Sequence, residues 1–218
     1  MKKYLFSALA ALLLISVLIG MTGCSNEADA LVGSWEGEVN YAQYFNEGIV
    51  VAAGEELAQY WMVEDFSLTL VMTFRADGTY SMTVDQIKLE DTIANLKTKL
   101  TKGLTDYMRD LIEASGSEMT VDEFMSTLDI SVDELIDQTL GDQMINAMVA
   151  DCTFEGNYEV KEGKLYTSAG LDFSIDKNVY EVYEITQNTL TLMSLVSSGD
   201  TARLDAELYP ITLIRVTQ

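Results

Sequence analysis

The chain has 218 residues, of which 48% are hydrophobic, so it is long enough and apolar enough for one domain with a substantial core. Its 35 acidic residues outnumber 13 basic ones, and a net charge of −22 argues against nucleic acid as a partner, because such a surface repels a phosphate backbone. The sequence contains no histidine. A Ser-His-Asp triad, a Cys-His dyad and a histidine-ligated metal site are therefore excluded.

Residues 1–23 have the pattern of an export signal. Two lysines follow the first methionine, and a nearly continuous apolar run occupies residues 4–20. The closing segment Met21-Thr22-Gly23-Cys24 resembles the lipobox of bacterial lipoproteins, which implies cleavage before Cys24 and lipidation of that cysteine. An uncleaved anchor helix and a simple secretory signal are the alternatives. The expected location is the cell membrane, with the body of the protein lipid-anchored on the extracytoplasmic side.

Residues 24–30 are interpreted as the lipidated cysteine and a short tether, of which residues 25–30 span at most about 20 Å when extended. The folded domain is expected over residues 31–218, close to the membrane. Because lipidation uses Cys24, Cys152 is left as a single thiol. It lies next to Asp151 with no basic residue nearby to lower its pKa, and we expect it to be buried and unreactive.

Two stretches in the first half alternate apolar and polar side chains, which predicts strands with one buried face. The first covers residues 31–41 and the second covers residues 66–74. A three-residue turn at Ala76-Asp77-Gly78 follows the second and places Phe74 opposite Tyr80 in a hairpin. Each strand needs partners, because a lone strand or hairpin is marginally stable in water.

Helical periodicity replaces alternation between residues 91 and 150, and a short helix is also possible at residues 55–62. The first predicted helix of this insertion has about 22 residues and ends before Ser115. Capping-box spacing at residues 120–123 and 131–134 predicts a short helix and then a longer one that extends to Ala150. The expected buried residues of these two helices are Phe124, Met125, Leu128, Leu135, Ile136, Met144, Ile145 and Met148.

Alternation returns after residue 153. The predicted strands lie in residues 154–160, 165–167, 179–185, 190–192 and 209–216, with turns at Glu162-Gly163 and Gln187-Asn188. Long antiparallel meanders with one apolar face tend to close, because closure removes exposed edges. The predicted fold is therefore mainly β: an antiparallel up-and-down β-barrel of about eight strands, with helical insertion 91–150 between strands three and four. A sandwich of two sheets is the alternative.

The segment Gly33-Ser34-Trp35 in the first strand, together with Arg215 in the last, resembles the lipocalin-like (calycin) barrels. In that family a Gly-x-Trp packs under an arginine near the chain end, and the resemblance assigns these structural roles to Gly33, Trp35 and Arg215. A cation–π contact accounts for the pairing. The resemblance covers residues 31–84 and 153–216 but not the insertion. The arrangement is also similar to small lipoproteins of Gram-positive bacteria that carry a lipocalin-like domain.

The resemblance implies a module that binds a small apolar ligand inside its barrel. An acid among inward aromatics must find a partner or bind something. The alternative is that the side chains fill an eight-stranded barrel, with Glu181 paired to Arg215 or pointing to solvent. The candidate ligand-binding residues are Tyr41, Phe74, Tyr80, Tyr158, Glu181 and Tyr183.

A non-catalytic structural or interaction module on the cell envelope is the second hypothesis, in which helices 91–150 dock a protein partner or act as a lid or plug. An enzyme is not expected, because no nucleophile or carboxylate pair stands out. We also expect no cofactor and no metal. Oxygen-rich stretches at residues 129–133 and 172–178 lack the glycine and glutamate positions of an EF-hand loop.

Overall fold

The computed structural model describes residues 27–140, 146, 149–150, 152–168, 170–197 and 208–217. The predicted leader, Cys24, Met144, Ile145 and Met148 lie outside these residues. The helices are α1 Glu27–Leu31, α2 Ala42–Trp61, α3 Gln86–Ala114, α4 Val121–Thr127 and α5 Val132–Thr139. The strands are β1 Gly33–Asn40, β2 Ser67–Phe74, β3 Thr79–Val84, β4 Phe154–Lys161, β5 Lys164–Thr167, β6 Tyr180–Ile185, β7 Thr189–Val196 and β8 Ile211–Arg215.

The eight strands form one closed antiparallel barrel in sequence order. Each strand pairs with the next, and β1 pairs with β8 through Trp35 opposite Arg215 and Glu36 opposite Ile214. The barrel prediction is confirmed, and the two-sheet sandwich is wrong. Closure follows from the strands themselves, because each has one apolar face that a single sheet would leave wet.

Two predicted hairpin registers are confirmed. Phe74 lies opposite Tyr80, and Gly78 in the turn has a φ of 83°, which glycine adopts without a steric penalty. Val160 lies opposite Leu165 across the two-residue turn at Glu162 and Gly163. Both turn residues have positive φ, as the mirror-image turns that match strand twist require.

One end of the barrel is sealed by α1, which replaces the last part of the expected tether with helix. Leu31 at its end is completely buried and packs with Trp35 on the inner face of β1. Leu165, Leu190 and Leu213 are also completely buried in this cluster. The inner faces of β5, β7 and β8 therefore meet those of β1 and α1 in a dry core.

The long helix α3 packs at the other end of the barrel. It begins five residues earlier than expected, because the Asp85 side chain accepts hydrogen bonds from the backbone N–H groups of Ile87 and Lys88 and caps the helix. Its Leu96 and Leu100 share one buried cluster with the strand residues Leu68, Leu70 and Val84. The helix is thus part of the main core.

Helix α2 was largely missed by the sequence prediction. It occupies residues 42–61 between β1 and β2, with a break at Gly54, whose φ of 79° is not helical. Gly103 of α3 marks its closest approach to α2: a Cβ atom there would lie 2.1 Å from the Tyr60 carbonyl oxygen. Gly103 is therefore the contact point between the two helices.

Both predicted capping boxes are present, at Thr120 with Glu123 and at Ser131 with Glu134. The packing of these helices differs in part from the prediction. Met125 and Ile136 are buried, whereas Phe124 and Leu128 are exposed, and α5 ends at Thr139. Short helices can bury only a narrow stripe, so neighbouring apolar positions are left at the surface.

Candidate ligand site in the barrel interior

The aromatic candidates from the sequence mostly form a packed cluster. The ring centroids of Phe74 and Tyr80 are 5.9 Å apart, and those of Phe74 and Tyr158 are 5.0 Å apart. Tyr80 also contacts Phe154 with centroids 5.7 Å apart. Because these rings fill the space between β2, β3 and β4, this side of the interior supports the hypothesis of a barrel filled by its own side chains.

The two signature residues meet at the seam between β1 and β8. The Arg215 guanidinium carbon lies 4.0 Å from the centroid of the Trp35 ring. Its nitrogens donate to the carbonyl oxygens of Ala30 at 2.7 Å, Val32 at 2.9 Å and Gln187 at 2.8 Å. The Trp35 indole donates to the Leu31 carbonyl oxygen at 2.8 Å. Together they satisfy carbonyl groups at the end of α1 and hold it against the barrel.

Gly33 completes this arrangement. Its φ of 130° lies in a region that L side chains rarely adopt, and a Cβ atom there would lie 2.8 Å from Nη1 of Arg215. The glycine therefore leaves room for the guanidinium. This assembly is structural, and it accounts for Gly33, Trp35 and Arg215 without a ligand.

Glu181 is the acidic residue that faces the barrel interior. It lies on β6 directly opposite Leu165 of β5 and Leu195 of β7, and Leu165 is completely buried. Its Oε1 atom accepts a 2.5 Å hydrogen bond from the Tyr209 hydroxyl. Glu181 does not pair with Arg215, so that alternative is wrong, and no ion pair of the described residues includes it.

The surroundings of Glu181 are tightly enclosed but not fully dry. Protein atoms crowd the carboxylate on nearly all sides, and this burial raises the pKa of the Glu181 carboxyl, with the Tyr209 hydrogen bond opposing it. The residue as a whole nevertheless keeps some accessible surface.

The negative charge of Glu181 also acts on the hydroxyl of Tyr80. Burial, with a contribution from Glu181, raises the pKa of the Tyr80 hydroxyl to about 12. The same hydroxyl donates to the Ser168 carbonyl oxygen at 3.2 Å. Tyr80 is therefore neutral near pH 7, and its hydroxyl lies within electrostatic range of Glu181.

Partly accessible residues lie on the strands next to Glu181. On the inner faces of the strands near Glu181, Leu195 and Ile211 keep accessible surface, whereas Leu190 and Leu213 on the same two strands keep none. We call the residues Glu181, Leu195, Tyr209 and Ile211 the Glu181 group. The barrel therefore has a fully buried part near α1 and a partly accessible part around this group.

The structure separates the remaining candidates. Tyr41 lies just after β1 and packs with the helical cluster, and the Sγ atom of Cys152 is 3.9 Å from its hydroxyl oxygen. Cys152 itself is half-buried rather than fully buried.

Tyr158 donates to the Arg75 carbonyl oxygen at 2.9 Å, and Tyr183 is buried with the sealed cluster. Of the predicted residues, only Tyr80 and Glu181 adjoin the partly accessible part.

Tyr209 was not among the predicted site residues, although the sequence held a signal for it. It has the same phase as Ile211, Leu213 and Arg215 in the last alternating run. That phase places its side chain on the inner face. Its partner Glu181 was not predictable from local pattern, because β7 lies between β6 and β8.

A separate groove of about 820 Å³ lies outside the barrel, along α2. Its lining includes Val50, Val51 and Met62, whose side chains are exposed. None of the predicted ligand residues lines it. The groove is therefore distinct from the barrel interior.

Within the described ranges, no group of three or more Cys, Asp or Glu side chains is arranged to hold a metal ion. No helix of that same part of the chain is both long enough and apolar enough to cross a bilayer. No protein-family model, curated protein or solved structure matches the chain. Its function is therefore inferred from its own residues and geometry.

Proposed function

We propose that the chain is an extracytoplasmic, lipid-anchored lipoprotein whose lipocalin-like barrel binds a small apolar ligand. The observation that carries the binding proposal is the uneven burial of the inward-facing residues. Leu165, Leu190 and Leu213 are completely buried, whereas the residues of the Glu181 group are only partly buried. Apolar walls with a few convergent polar groups are typical of small-molecule sites. No catalytic role is proposed.

The ligand is proposed to lie between β6, β7 and β8, in contact with the Glu181 group. Of the aromatic cluster, only Tyr80 adjoins this site, because Phe74 and Tyr158 pack against each other in the buried cluster near α1. The closed barrel and the contact of Arg215 with Trp35 support a lipocalin-like architecture.

The anchor proposal rests on the sequence before residue 27. Cys24 precedes the start of α1 by three residues, which span about 10 Å when extended. Metabolic labelling with an alkyne analogue of palmitate tests it. The full chain is expected to incorporate label and to fractionate with membranes, whereas Cys24→Ser is expected to do neither. Equal labelling of both would overturn the anchor proposal.

Ligand binding is tested with the chain from residue 24 onward carrying Cys24→Ser, which retains every residue that the structure describes. Nile red, a neutral solvatochromic dye, is expected to shift its emission to the blue and to be displaced by dodecanol. Circular dichroism verifies that the protein is folded. If the folded protein produces no displaceable shift, the binding proposal is wrong.

Two substitutions on β8 locate the site. Ile211 is half-buried on the inner face, and Ile214 is exposed on the outer face. Ile211→Trp is expected to fill the interior and weaken dye binding, while Ile214→Trp is expected to leave it unchanged. If the two variants weaken binding equally, the dye lies outside the barrel.

A protein-interaction module is the second candidate function, and exposed apolar residues on the helical insertion favour it. Phe124 lies in α4, Leu128 caps the C-terminal end of that helix four residues later, and the two residues are 37% and 55% exposed. Deleting residues 91–150 would not test this function, because α3 belongs to the main core. Phe124→Ser with Leu128→Ser is expected to abolish capture of a partner and to leave the fold intact.

A further inference from the structure

We infer that the ligand of the barrel carries a cationic head group of the alkylammonium class, held by the carboxylate of Glu181 with the hydroxyl of Tyr209 beside it. This inference rests on the proposed function of the barrel. It extends that proposal from a general apolar ligand to an amphiphile with a positive head and a hydrocarbon tail.

The first argument is that the carboxylate has little compensation from the protein. Among the described residues, the 2.5 Å hydrogen bond from the Tyr209 hydroxyl to Oε1 is the only hydrogen bond or ion pair of the Glu181 side chain. Lys164 on the neighbouring strand β5 is directed elsewhere, with its Nζ atom 4.4 Å from the Tyr180 ring centroid. A buried carboxylate with one donor is costly, and a bound cation would supply the missing counter-charge.

The second argument concerns the groups around the carboxylate. Leu165 and Leu195 lie directly opposite Glu181 on its two neighbouring strands. Neither side chain can donate a hydrogen bond, and Leu195, which keeps accessible surface, can contact a hydrocarbon tail. A carboxylate between aliphatic walls therefore matches an amphiphile better than it matches a fully polar cation such as a free metal ion.

The third argument is that the negative charges of Glu181 and of the chain as a whole disfavour anionic lipids. A fatty-acid carboxylate in the same place would meet Glu181 at close range in a low-dielectric interior. The chain also has a net charge of −22, so an anion is repelled before it reaches the barrel. An alcohol of the same chain length is neutral and can donate one hydrogen bond, so its affinity should be intermediate.

The test compares three twelve-carbon ligands that differ only in the head group: dodecylammonium, dodecanol and dodecanoate. Each displaces Nile red at pH 7.5 and below its micellar concentration, from the same residue-24 chain with Cys24→Ser. Dodecylammonium is expected to bind about tenfold more tightly than dodecanol, as for a charge-assisted hydrogen bond, and dodecanoate is expected to bind most weakly.

Two matched variants on β6 assign the effect to one side chain. Glu181→Gln keeps the size of the side chain and removes its charge, so it should abolish the preference for ammonium while dodecanol still binds. Glu184→Gln removes a charge from an exposed position on the other face of the strand and should leave the preference unchanged. Tyr209→Phe removes the neighbouring hydroxyl and should alter ammonium affinity more than dodecanol affinity.

The possible results separate this inference from the function on which it rests. Equal affinity of all three ligands, or an ammonium preference that persists in Glu181→Gln, would overturn the inference of a cationic head group. The barrel would remain a binding site in either case. If the dye never binds to the folded protein, the proposed function fails and this inference fails with it. A preference for ammonium that both β6 variants lose equally reflects overall charge and also overturns the inference.

Discussion

Arg215 covers the ring of Trp35 at the point where the last strand joins the first, with 4.0 Å between the guanidinium carbon and the ring centroid. The same guanidinium donates to three backbone carbonyl oxygens, two of which lie at the end of α1. One side chain thus joins β1, β8, α1 and the β6–β7 turn. Its removal should loosen all four at once.

We expect Arg215→Ala to lower the free energy of unfolding by about 3 kcal/mol, from the loss of charged hydrogen bonds and the cation–π contact. Arg215→Lys keeps the charge but not the planar fork, so it should recover less than half of this loss. Urea denaturation followed by circular dichroism measures both.

Arg75→Ala is the control for this pair. Arg75 forms an exposed ion pair with Glu155 at 3.4 Å, and such pairs contribute less than about 1 kcal/mol. If Arg75→Ala destabilises the protein as much as Arg215→Ala does, the special role of the seam is refuted.

Two glycines in helices should respond in opposite ways to alanine. Gly103→Ala is expected to destabilise the protein by about 1–3 kcal/mol, because the new Cβ atom would lie 2.1 Å from the Tyr60 carbonyl oxygen. Gly48→Ala in α2 is expected to stabilise it by about 0.5–1 kcal/mol, because no described atom lies within 4 Å and alanine favours a helix. Changes of the same sign in urea denaturation would contradict the packing of α2 on α3.

Glu181→Gln should stabilise the protein near neutral pH. Burial raises the pKa of the Glu181 carboxyl above its unfolded value, so between the two pKa values the folded chain binds more protons than the unfolded chain. Stability then falls as the pH rises through that interval, by about 1.4 kcal/mol for each unit of pKa difference. The gain from glutamine should therefore be absent near pH 4 and grow upwards from pH 5.

Melting temperatures of the wild type and Glu181→Gln at several pH values check this prediction. Glu184→Gln, at an exposed position of the same strand, should show no such pH-dependent gain. If the melting temperatures of wild type and Glu181→Gln differ by a constant amount across the pH range, the pKa of the Glu181 carboxyl is the same in the folded and unfolded states, and the prediction is wrong.

The capping boxes supply a local prediction. The Ser131 hydroxyl accepts from the Glu134 backbone N–H at 3.1 Å, and Ser131→Ala should cost about 1 kcal/mol. Ser126→Ala, within α4 and exposed, should cost nothing, because alanine suits a helix interior. Equal costs in urea denaturation would contradict a capping role for Ser131.

Much of the barrel was predictable because its determinants are local. Alternation identified the strands, and turn residues such as Gly78 and Gly163 set the hairpin registers. The contact between Trp35 and Arg215 joins residues far apart in sequence, and it was expected only through a family resemblance.

The helices at the barrel end were less predictable. The sequence pattern did not predict most of α2, because Gly48 and Gly54 weaken its helical signal even where an apolar face is buried. The start of α3 was missed because Ile87 beside its cap is exposed and breaks the apolar stripe. The pairing of Glu181 with Tyr209 depends on the curvature of the closed sheet, which no local pattern contains.

The ladders around the barrel are unequal in length. The β1–β2 ladder joins eight residue pairs, whereas the β5–β6 and β8–β1 ladders each join only two. Strands β6, β7 and β8 therefore make a panel bounded by the two shortest seams, and this panel carries Glu181 and the residue before β8 that binds it. Local opening costs least where the fewest bonds must break, and Arg215 reinforces the β8–β1 seam, so we expect the wall of the barrel to open first at the β5–β6 seam.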